Sequence, residues 1–339
     1  MISVTLGKMV SLCYNISIMK NYIVFDLEWN QSANGKERSI PHFPFEIIEI
    51  GAVKLNETFQ MVDEFHRLIR PQVYTQMHHA ISEVTHMDMK ELRNSGELFP
   101  DAAADFLSWC GGDAVFCTWG NMDLLELQRN MDYYHMDNPF PKPLFYYDVQ
   151  KLYGLFRREN ARISLDSAVE EQSLLENRPF HRALDDAYYT GKLLTMLGHE
   201  PGPDTILPFL SVDYYRLPAD KKEEIRMTFP GYSKYVSRIF DSKEDAMADK
   251  GVTEMMCYRC GRMLRKKIRW FTGNSKNYYC LACCEEHGWL KGKIRIKKAE
   301  DNQFFCVKTL KLVSEEDAAS IIKKKEALKE KQKRCRADD

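Results

Sequence analysis

Residues 22 to 30 read Tyr-Ile-Val-Phe-Asp-Leu-Glu-Trp-Asn, and the fold can be worked out from this stretch. Its first four residues are aromatic or β-branched, which favours a buried strand. Asp26 and Glu28 follow two positions apart, so their side chains point to the same face of that strand. Carboxylates this close repel each other unless a cation lies between them, and a hard divalent metal prefers such oxygen ligands. The stretch therefore predicts a strand that ends in a metal site, although two solvated acids would give the same pattern.

Further acidic residues follow at two later points of the chain. Residues 118–123, Thr-Trp-Gly-Asn-Met-Asp, are typical of a strand that turns into a helix, with Asp123 at the start of the helix. Residues 181–186, His-Arg-Ala-Leu-Asp-Asp, open a helix whose apolar positions recur at helical spacing as far as Leu197. Asp123 is the least specific of these signals because Asp is common at helix starts.

In order and spacing, Asp26-x-Glu28, Asp123 and His181-x-Ala183-x-x-Asp186 resemble the DEDDh branch of the DnaQ-like 3′→5′ exonucleases. Within that branch the chain is most similar to the Eri-like enzymes, whose preferred substrates are RNA 3′ ends. The resemblance covers residues 19–200. It implies an α/β domain of the RNase H-like kind, a mixed five-stranded sheet flanked by helices. The spacing from His181 favours Asp186 over its neighbour Asp185 as the acidic ligand.

The resemblance also implies a role for each of the five residues. Two Mg²⁺ or Mn²⁺ ions about 3.5–4 Å apart would activate a water and neutralise charge on phosphorus. Asp26 would bridge both ions. Glu28 and Asp186 would complete the ion that binds the attacking water, and Asp123 would support the other ion. His181 would take the proton of the nucleophile, because imidazole titrates near neutral pH.

Three residues near the motif have two interpretations or depart from the family pattern. Glu49 lies inside an apolar strand, where it is either a carboxylate near the metals or an outward-facing residue. Trp29 either stacks on a base or packs in the core. Asn30 stands where many relatives have Thr, so recognition of the terminal nucleotide is expected to differ. The other strands of the sheet are predicted at residues 47–55, 60–69, 113–118 and 145–149.

Cysteine and charge distributions set the last third of the chain apart. Five of the ten cysteines lie between residues 257 and 284, which favours zinc in a reducing compartment and a cytoplasmic location. Residues 251–339 contain 22 Lys and Arg against 12 Asp and Glu, a net charge of +10; the whole chain carries −1, so residues 1–250 carry −11. A basic appendage on an acidic body suggests a polyanionic partner, although Lys-rich segments are often merely solvated. No apolar run is long enough to span a membrane.

Two cysteine pairs predict a second metal site. Cys257-x-x-Cys260 and Cys280-x-x-Cys283 have the spacing of a four-cysteine zinc ribbon that holds one structural Zn²⁺. Cys284 is a rival to Cys283, but the C-x-x-C spacing favours Cys283. Basic and aromatic residues interleave between the pairs, as in surfaces that bind nucleic acid. Alternatively, the aromatic residues form the core of the ribbon and the cations only improve solubility.

The chain divides into five predicted segments. Translation is expected to begin at Met19, since the preceding residues fit neither a domain nor a good signal peptide. A capping pattern at Ser314 predicts a Lys-rich helix near the end of the chain. The segments are an N-terminal extension at 1–18, the exonuclease domain at 19–200, an ordered extension at 201–250, the zinc ribbon at 251–299 and a basic helical tail at 300–339.

The sequence thus predicts a metal-dependent 3′→5′ exonuclease that acts on single-stranded or 3′-overhang nucleic acid. RNA is preferred over DNA on the strength of the resemblance alone. One alternative is a DNA-directed proofreading or repair exonuclease on the same fold. Another is a nucleic-acid-binding adaptor that no longer hydrolyses its ligand, and the complete set of five catalytic-type residues argues against it.

Overall fold

The structure is a computed structural model that describes residues 4–5, 21–35, 38–159, 161–200, 202–274, 277–299 and 302–335. It divides into two units: the larger unit, Asn15–Arg216, and the C-terminal unit, which combines Met1–Tyr14 with Leu217–Asp339. The predicted start at Met19 lies outside the described residues. Within the predicted extension 1–18, strand β1 is described at Val4–Thr5. None of the described helices has the length and apolar character that a membrane span requires.

A mixed sheet forms the centre of the larger unit. Its strands are β2 (Asn21–Gln31), β3 (Phe45–Leu55), β4 (Met61–Leu68), β5 (Ala114–Thr118), β6 (Phe145–Asp148) and β7 (Ser211–Val212). They lie in the order β4-β3-β2-β5-β6-β7. The strands β2, β3 and β4 pair antiparallel, whereas β5 joins β2, and β6 joins β5, in parallel. The predicted α/β fold with a mixed sheet is confirmed. The sixth strand, β7, was not predicted because two residues carry no detectable period.

Helices cover both faces of this sheet. Odd-numbered residues of β2, such as Ile23 and Phe25, enter a core with Phe106 and Leu127, whereas Val24 enters the opposite core with Leu193. By the same alternation Asp26 and Glu28 face the side of Val24. The helices are α1 (His79–Thr85), α2 (Met89–Ser95), α3 (Phe99–Cys110), α4 (Met122–Tyr133), α5 (Val149–Phe156), α6 (Leu165–Glu171), α7 (Ala183–His199) and α8 (Pro203–Ile206), followed by a 3-10 helix at Leu207–Phe209.

Helix α7 lies directly on β3, and two glycines allow the contact. A Cβ atom at Gly51 in β3 would lie 2.0 Å from the backbone nitrogen of Leu184. A Cβ atom at Gly191 in α7 would lie 2.9 Å from Cγ2 of Val53. The first turn of α7 is therefore held against the middle of the sheet at backbone distance, on the face that carries Asp26 and Glu28.

The C-terminal unit contains an antiparallel sheet of seven strands in the order β1-β8-β9-β13-β12-β11-β10. The longest ladder of this sheet joins β12 and β13. It runs from Leu290 opposite Leu312 to Lys298 opposite Phe304. The remaining elements are β8 (Ile225–Thr228), β9 (Tyr232–Val236), α9 (Lys243–Ala248), α10 (Lys250–Thr253), β10 (Lys266–Asn274), β11 (Asn277–Cys284), β12 (Gly288–Lys298), β13 (Phe304–Leu312) and α11 (Glu315–Cys335).

This sheet differs from the small ribbon and the separate flanking segments that were expected. Strand β9 belongs to the predicted extension 201–250 and pairs with β13, which belongs to the predicted tail 300–339. The predicted extension is itself divided between the two units after Arg216. Pairing over about seventy residues leaves no local signal, which is why the sequence did not show it. The predicted helix after Ser314 is present, and the Ser314 hydroxyl accepts a hydrogen bond from the backbone N–H of Asp317 at 3.1 Å.

The contact between α7 and β3 predicts that a methyl group added at Gly51 lowers the free energy of unfolding substantially. Gly51→Ala would force two backbones apart, so we expect the free energy of unfolding to fall by about 3 kcal/mol, the upper range for an overpacked core. Gly112→Ala is the matched control, because nothing lies within 4 Å of a Cβ atom there. Thermal unfolding followed by circular dichroism measures both. An unchanged midpoint for Gly51→Ala would contradict the close packing of α7 on β3.

Candidate active site

Three carboxylates converge where β2 meets the first turn of α7. One oxygen from each of Asp26, Glu28 and Asp186 lies within 4.8 Å of the others. Strand alternation directs Asp26 and Glu28 to the face on which α7 lies, and the close approach of α7 at Gly51 brings Asp186 to them. Asp186 is 9% exposed, so the cluster sits at the boundary between the core and the surface.

Asp123 lies beside this cluster and is not one of its three members. It is buried in the first turn of α4, and its Oδ1 accepts a hydrogen bond from the backbone N–H of Leu27 at 3.3 Å. Leu27 is the residue between Asp26 and Glu28, so the bond ties the start of α4 to the acidic end of β2. The negative charge of Asp123 acts on Asp26.

The cluster is electrostatically strained in the absence of a cation. Burial raises the pKa of Asp26 well above its ordinary value, and the charges of Asp123 and Asp186 raise it further. Burial is also the main reason why the pKa of Glu28 rises to about 8, and why those of Asp123 and Asp186 rise to about 7. Oδ1 of Asp186 is buried and has no hydrogen-bond partner among the described residues. An unpaired oxygen among converging carboxylates fits a hard divalent cation.

His181 and Asp185 lie on either side of the helix start. The backbone N–H of His181 donates to Oδ2 of Asp186 at 3.1 Å, and His181 adopts a left-handed conformation with φ 66°. Its imidazole is exposed and makes no side-chain hydrogen bond within the described ranges. Asp185 instead forms an ion pair with Arg178 at 3.2 Å. The structure thus brings Asp186 to the cluster, leaves Asp185 outside it, and holds the His181 loop by its backbone.

Glu49 is the residue that fastens the helix start to the sheet. It lies opposite Glu28 in β3 and is only 1% exposed. Its carboxylate accepts hydrogen bonds from the Arg182 side chain at 2.8 Å and from the backbone N–H of Ala183 at 3.1 Å, and it lies 2.7 Å from Nε2 of His66. Burial alone would raise the pKa of Glu49, but the hydrogen bonds from His66 and Arg182 lower it below its ordinary value. Glu49 is therefore an ionised anchor, and the outward-facing interpretation is wrong.

Asn30 and Trp29 are both part of the scaffold. The Asn30 amide donates to the carbonyls of Tyr74 and Gln76 and accepts from the backbone N–H of His78, so the side chain is fully used within the protein. Asn30 is completely buried. Trp29 packs on Phe45 with ring centroids 5.6 Å apart. These contacts favour a core role for Trp29 and leave the Asn30 side chain no capacity to recognise a nucleotide.

The predicted zinc ligands are only partly brought together. Cys257 and Cys260 lie with Cys284 and His287. Cys280 lies in β11 four residues before Cys284, and its thiol donates to the carbonyl of Ile268 at 3.0 Å. Cys283 points to the opposite face of β11 from Cys284 by strand alternation. The expected pair Cys280 and Cys283 is thus corrected: the structure does not place either with the first pair. The spacing Cys284-x-x-His287 was the signal that the sequence interpretation missed.

A known protein family matches residues of the larger unit. The family model described as Exonuclease (RNase_T) matches residues 23–194, just over half of the chain. A probable 3′-5′ exonuclease KapD from Bacillus subtilis is 28% identical over 200 residues, which is 54% of this chain and 90% of that protein. A PolC-type DNA polymerase III from Thermotoga petrophila is 33% identical over 150 residues, 44% of this chain and 10% of the polymerase. A solved full-length 3′-exonuclease matches with TM-score 0.48 and 19% identity, covering 60% of this chain and 94% of that one.

The raised pKa values predict that stability depends on pH and on metal. An acid whose folded pKa exceeds its unfolded pKa holds more protons in the folded state, so stability falls as pH rises from about 4 through about 8. In the presence of a chelator we expect the melting temperature of the larger unit to fall over this range. Mg²⁺ or Mn²⁺ should raise it, and more at pH ~8.5 than at pH ~5.5.

Thermal melts of the wild type, Asp26→Asn and Asp185→Asn test this expectation. Asp26→Asn should flatten the pH profile and weaken the metal response. Asp185→Asn should keep the metal response, because Asp185 pairs with Arg178 instead, and should change the pH profile less, since its charge is only one of the causes that raise the pKa of Asp186. A metal response of equal size in all three proteins would mean that the cation binds elsewhere.

Proposed function

The chain belongs to the exonuclease family described as RNase_T, and we propose that it is a 3′→5′ exonuclease of the DEDDh type that hydrolyses RNA in preference to DNA with divalent metal held by its acidic cluster. The observation that carries the proposal is the convergence of Asp26, Glu28 and Asp186 within 4.8 Å. We propose that the larger unit is the catalytic domain. The family match begins in β2 and ends in α7, so it contains every residue of this cluster.

The acidic residues would hold two divalent ions, Mg²⁺ or Mn²⁺. Bound ions of this kind lower the pKa of a water and neutralise charge on the phosphoryl group. The half-buried Asp26 and Glu28 and the unpartnered Oδ1 of Asp186 supply the oxygen ligands such ions prefer. Asp123 would support the second ion from α4, where the bond from the Leu27 N–H fixes its carboxylate.

His181 would act as the general base. Its backbone N–H is held by Asp186, so the loop starts at the metal site while the imidazole stays exposed to solvent and substrate. Glu49 would position this base, because its bonds to Arg182 and to the Ala183 N–H fix the two residues that follow His181. A base on a fixed loop can reach the nucleophile without any rearrangement of the helix.

RNA is the proposed substrate because the motif spacing resembles the Eri-like branch. DNA is the alternative, and the likeness of 150 residues of this chain to part of a PolC-type DNA polymerase supports it. Single-stranded or 3′-overhang ends suit an exonuclease whose cluster lies at the surface edge of a sheet. The proposed cytoplasmic location rests on the crowding of five cysteines between residues 257 and 284, which favours zinc in a reducing compartment.

Digestion of a 5′-labelled RNA and of DNA of the same sequence tests the proposal. With Mg²⁺ or Mn²⁺ we expect a ladder that shortens from the 3′ end, faster for RNA, and no products with a chelator. His181→Ala should slow cleavage by about 10²–10⁴-fold, the usual contribution of a general base. Asp26→Asn should abolish cleavage, because it removes a charged ligand of the cluster.

Asp185→Asn is the matched control, one residue from Asp186 and outside the cluster. It should cleave within a few-fold of the wild type. Substantial activity in Asp26→Asn, or an equal loss in Asp185→Asn, would remove the metal assignment. Binding of either strand without cleavage by the wild type would instead support a nucleic-acid-binding adaptor.

A further inference from the structure

Four potential metal ligands meet in the C-terminal unit, far in sequence from the acidic cluster. The Sγ atoms of Cys257, Cys260 and Cys284 and Nδ1 of His287 all lie within 4.8 Å of one another. Nδ1 of His287 lies 3.7 Å from the sulfur of Cys257 and 3.6 Å from that of Cys284. The sulfurs of Cys260 and Cys284 are 3.7 Å apart, too far for a disulfide.

These separations match the edges of a zinc tetrahedron. Zn–S bonds of ~2.3 Å and Zn–N bonds of ~2.05 Å at tetrahedral angles place two sulfurs ~3.8 Å apart and a sulfur and a nitrogen ~3.6 Å apart. We propose that Cys257, Cys260, Cys284 and His287 bind one structural Zn²⁺ as a closed Cys₃His site. Four protein ligands leave no open position, which distinguishes this site from a catalytic zinc.

Two turns of the same form supply the ligands. Cys257-x-x-Cys260 is followed by Gly261 with φ +72°, and Cys284-x-x-His287 is followed by Gly288 with φ +79°. Positive φ at these positions suits glycine and lets each turn close behind its second ligand. In the first turn the backbone N–H of Gly261 donates to the carbonyl of Cys257 at 2.8 Å.

Backbone donors also face the sulfurs. The N–H of Arg262 lies near the sulfur of Cys260, and the N–H groups of Glu286 and His287 lie near that of Cys284. Backbone donors in such positions help to orient thiolate ligands and stabilise their charge. The zinc would join the loop before β10 to the turn between β11 and β12.

Zinc analysis of the full-length protein by mass spectrometry tests this site. We expect one zinc per chain in the wild type and in Cys280→Ser and Cys283→Ser, and loss of zinc in Cys284→Ser and His287→Ala. His287→Cys should keep the metal, and its Co²⁺ form should show stronger sulfur-to-cobalt absorption than the wild type, since a fourth thiolate replaces the imidazole. This variant keeps the test valid if His287→Ala does not fold.

Two results would overturn the Cys₃His assignment. Zinc lost in Cys283→Ser but retained in Cys284→Ser would restore the four-cysteine ligand set. Absence of bound zinc or cobalt in correctly folded wild type would exclude the metal site itself.

A second observation, independent of zinc, concerns one face of the same sheet. In β12 the residues Leu290, Gly292, Ile294 and Ile296 are buried, and the alternate positions Lys291, Lys293, Arg295 and Lys297 face the other way. Alternation in a strand repeats every ~6.7 Å, so these cations form a straight row. Lys293 and Arg295 are exposed.

The neighbouring strands add cations and aromatic rings, and the strands β8 to β13 contain no Asp or Glu. Lys308 of β13 does not belong to this row, because it is buried on the opposite face and donates to the carbonyls of Gly251 and Glu254. Lys291 lies directly opposite Lys311, an unfavourable pairing of like charges. Tyr279 lies opposite Lys293, and Lys291 and Lys324 approach its ring at 5.8 and 4.6 Å. Like charges kept side by side favour a polyanionic ligand.

We infer that this face of β12, with Tyr279 of β11 and Lys324 of α11, binds the backbone of single-stranded nucleic acid. Lysine and arginine neutralise phosphates, and an aromatic ring between them offers a stacking surface for a base. The inference rests on the proposed function in one respect: the ligand is taken to be nucleic acid because nucleic acid is the proposed substrate of the larger unit.

Fluorescence anisotropy with labelled single-stranded RNA and DNA tests the surface in the full chain. An Asp26→Asn background without added divalent metal prevents cleavage. Lys293→Gln with Arg295→Gln should weaken binding about tenfold and reduce the slope of log affinity against log salt by ~1.4, for two lost single-strand phosphate contacts. The control is Lys221→Gln with Lys222→Gln, exposed cations of the same unit outside the sheet, which should change neither.

A second measurement separates this surface from the proposed exonuclease function. It is the hydrolysis of a dinucleotide by protein that carries Lys293→Gln and Arg295→Gln and retains Asp26. Intact dinucleotide cleavage with weakened oligonucleotide binding supports the surface. Unchanged binding in the Lys293 and Arg295 variant, or tighter binding to anionic vesicles than to oligonucleotides, would overturn it. If the wild type cleaves no nucleic acid but the Lys293 and Arg295 variant binds oligonucleotides more weakly, the proposed function is wrong and the binding surface is supported.

Discussion

The buried bonds of Glu49 are the constraint on which the catalytic side of the molecule depends. Three carboxylates would separate if nothing held them, since each has a raised pKa and the charges repel. Glu49 is ionised at 1% exposure because the His66 and Arg182 side chains and the Ala183 N–H bond to it. Removing one partner of such a buried pair costs several kcal/mol, about 3–5, because a charge is left alone. The same bonds hold the first turn of α7 on β3, and that position brings Asp186 to Asp26.

The close approach at Gly51 turns this anchor into a fixed distance. Hydrogen bonds alone allow a helix some freedom to slide, whereas backbone contact at the position of a missing Cβ atom does not. The bond from the Leu27 N–H to Asp123 does the same for α4 on the other side of the strand end. The position of α7 on β3 is thus fixed by backbone packing and by the ion pair of Glu49 with Arg182. The negative charge of the acidic cluster would be neutralised by a bound cation. Because other contacts fix the geometry, the acidic side chains can be held in place before their charges are neutralised.

Period-two and helical patterns were sufficient to predict five of the six strands of the larger unit and the shared face of Asp26 and Glu28. Motif spacing favoured Asp186 over Asp185 as a ligand, and the structure brings Asp186 to the cluster. Partners that depend on tertiary contact were not predictable: the acceptors of the Asn30 amide lie 44 and 46 residues away, and those contacts decide that Asn30 is structural. Likewise the pairing of β9 with β13 gave no local sign of a seven-stranded sheet. The choice of Cys283 failed for a simpler reason, because C-x-x-C spacing was given more weight than strand alternation, which turns Cys283 away from Cys284.

The two candidate metal sites differ in the type of their ligands and in how the chain brings those ligands together, and these differences favour a different metal at each site. The acidic cluster takes oxygen ligands from a strand and a helix that meet only in the tertiary fold, so its geometry depends on the whole larger unit. The Cys₃His cluster takes soft ligands from two short turns with the same x-x spacing and the same positive-φ glycine, so each half can form locally. Thiolate and imidazole select zinc, whereas carboxylates and water suit Mg²⁺ or Mn²⁺. Ligand chemistry alone would therefore direct a structural ion to the C-terminal unit and leave the acidic cluster to exchangeable ions.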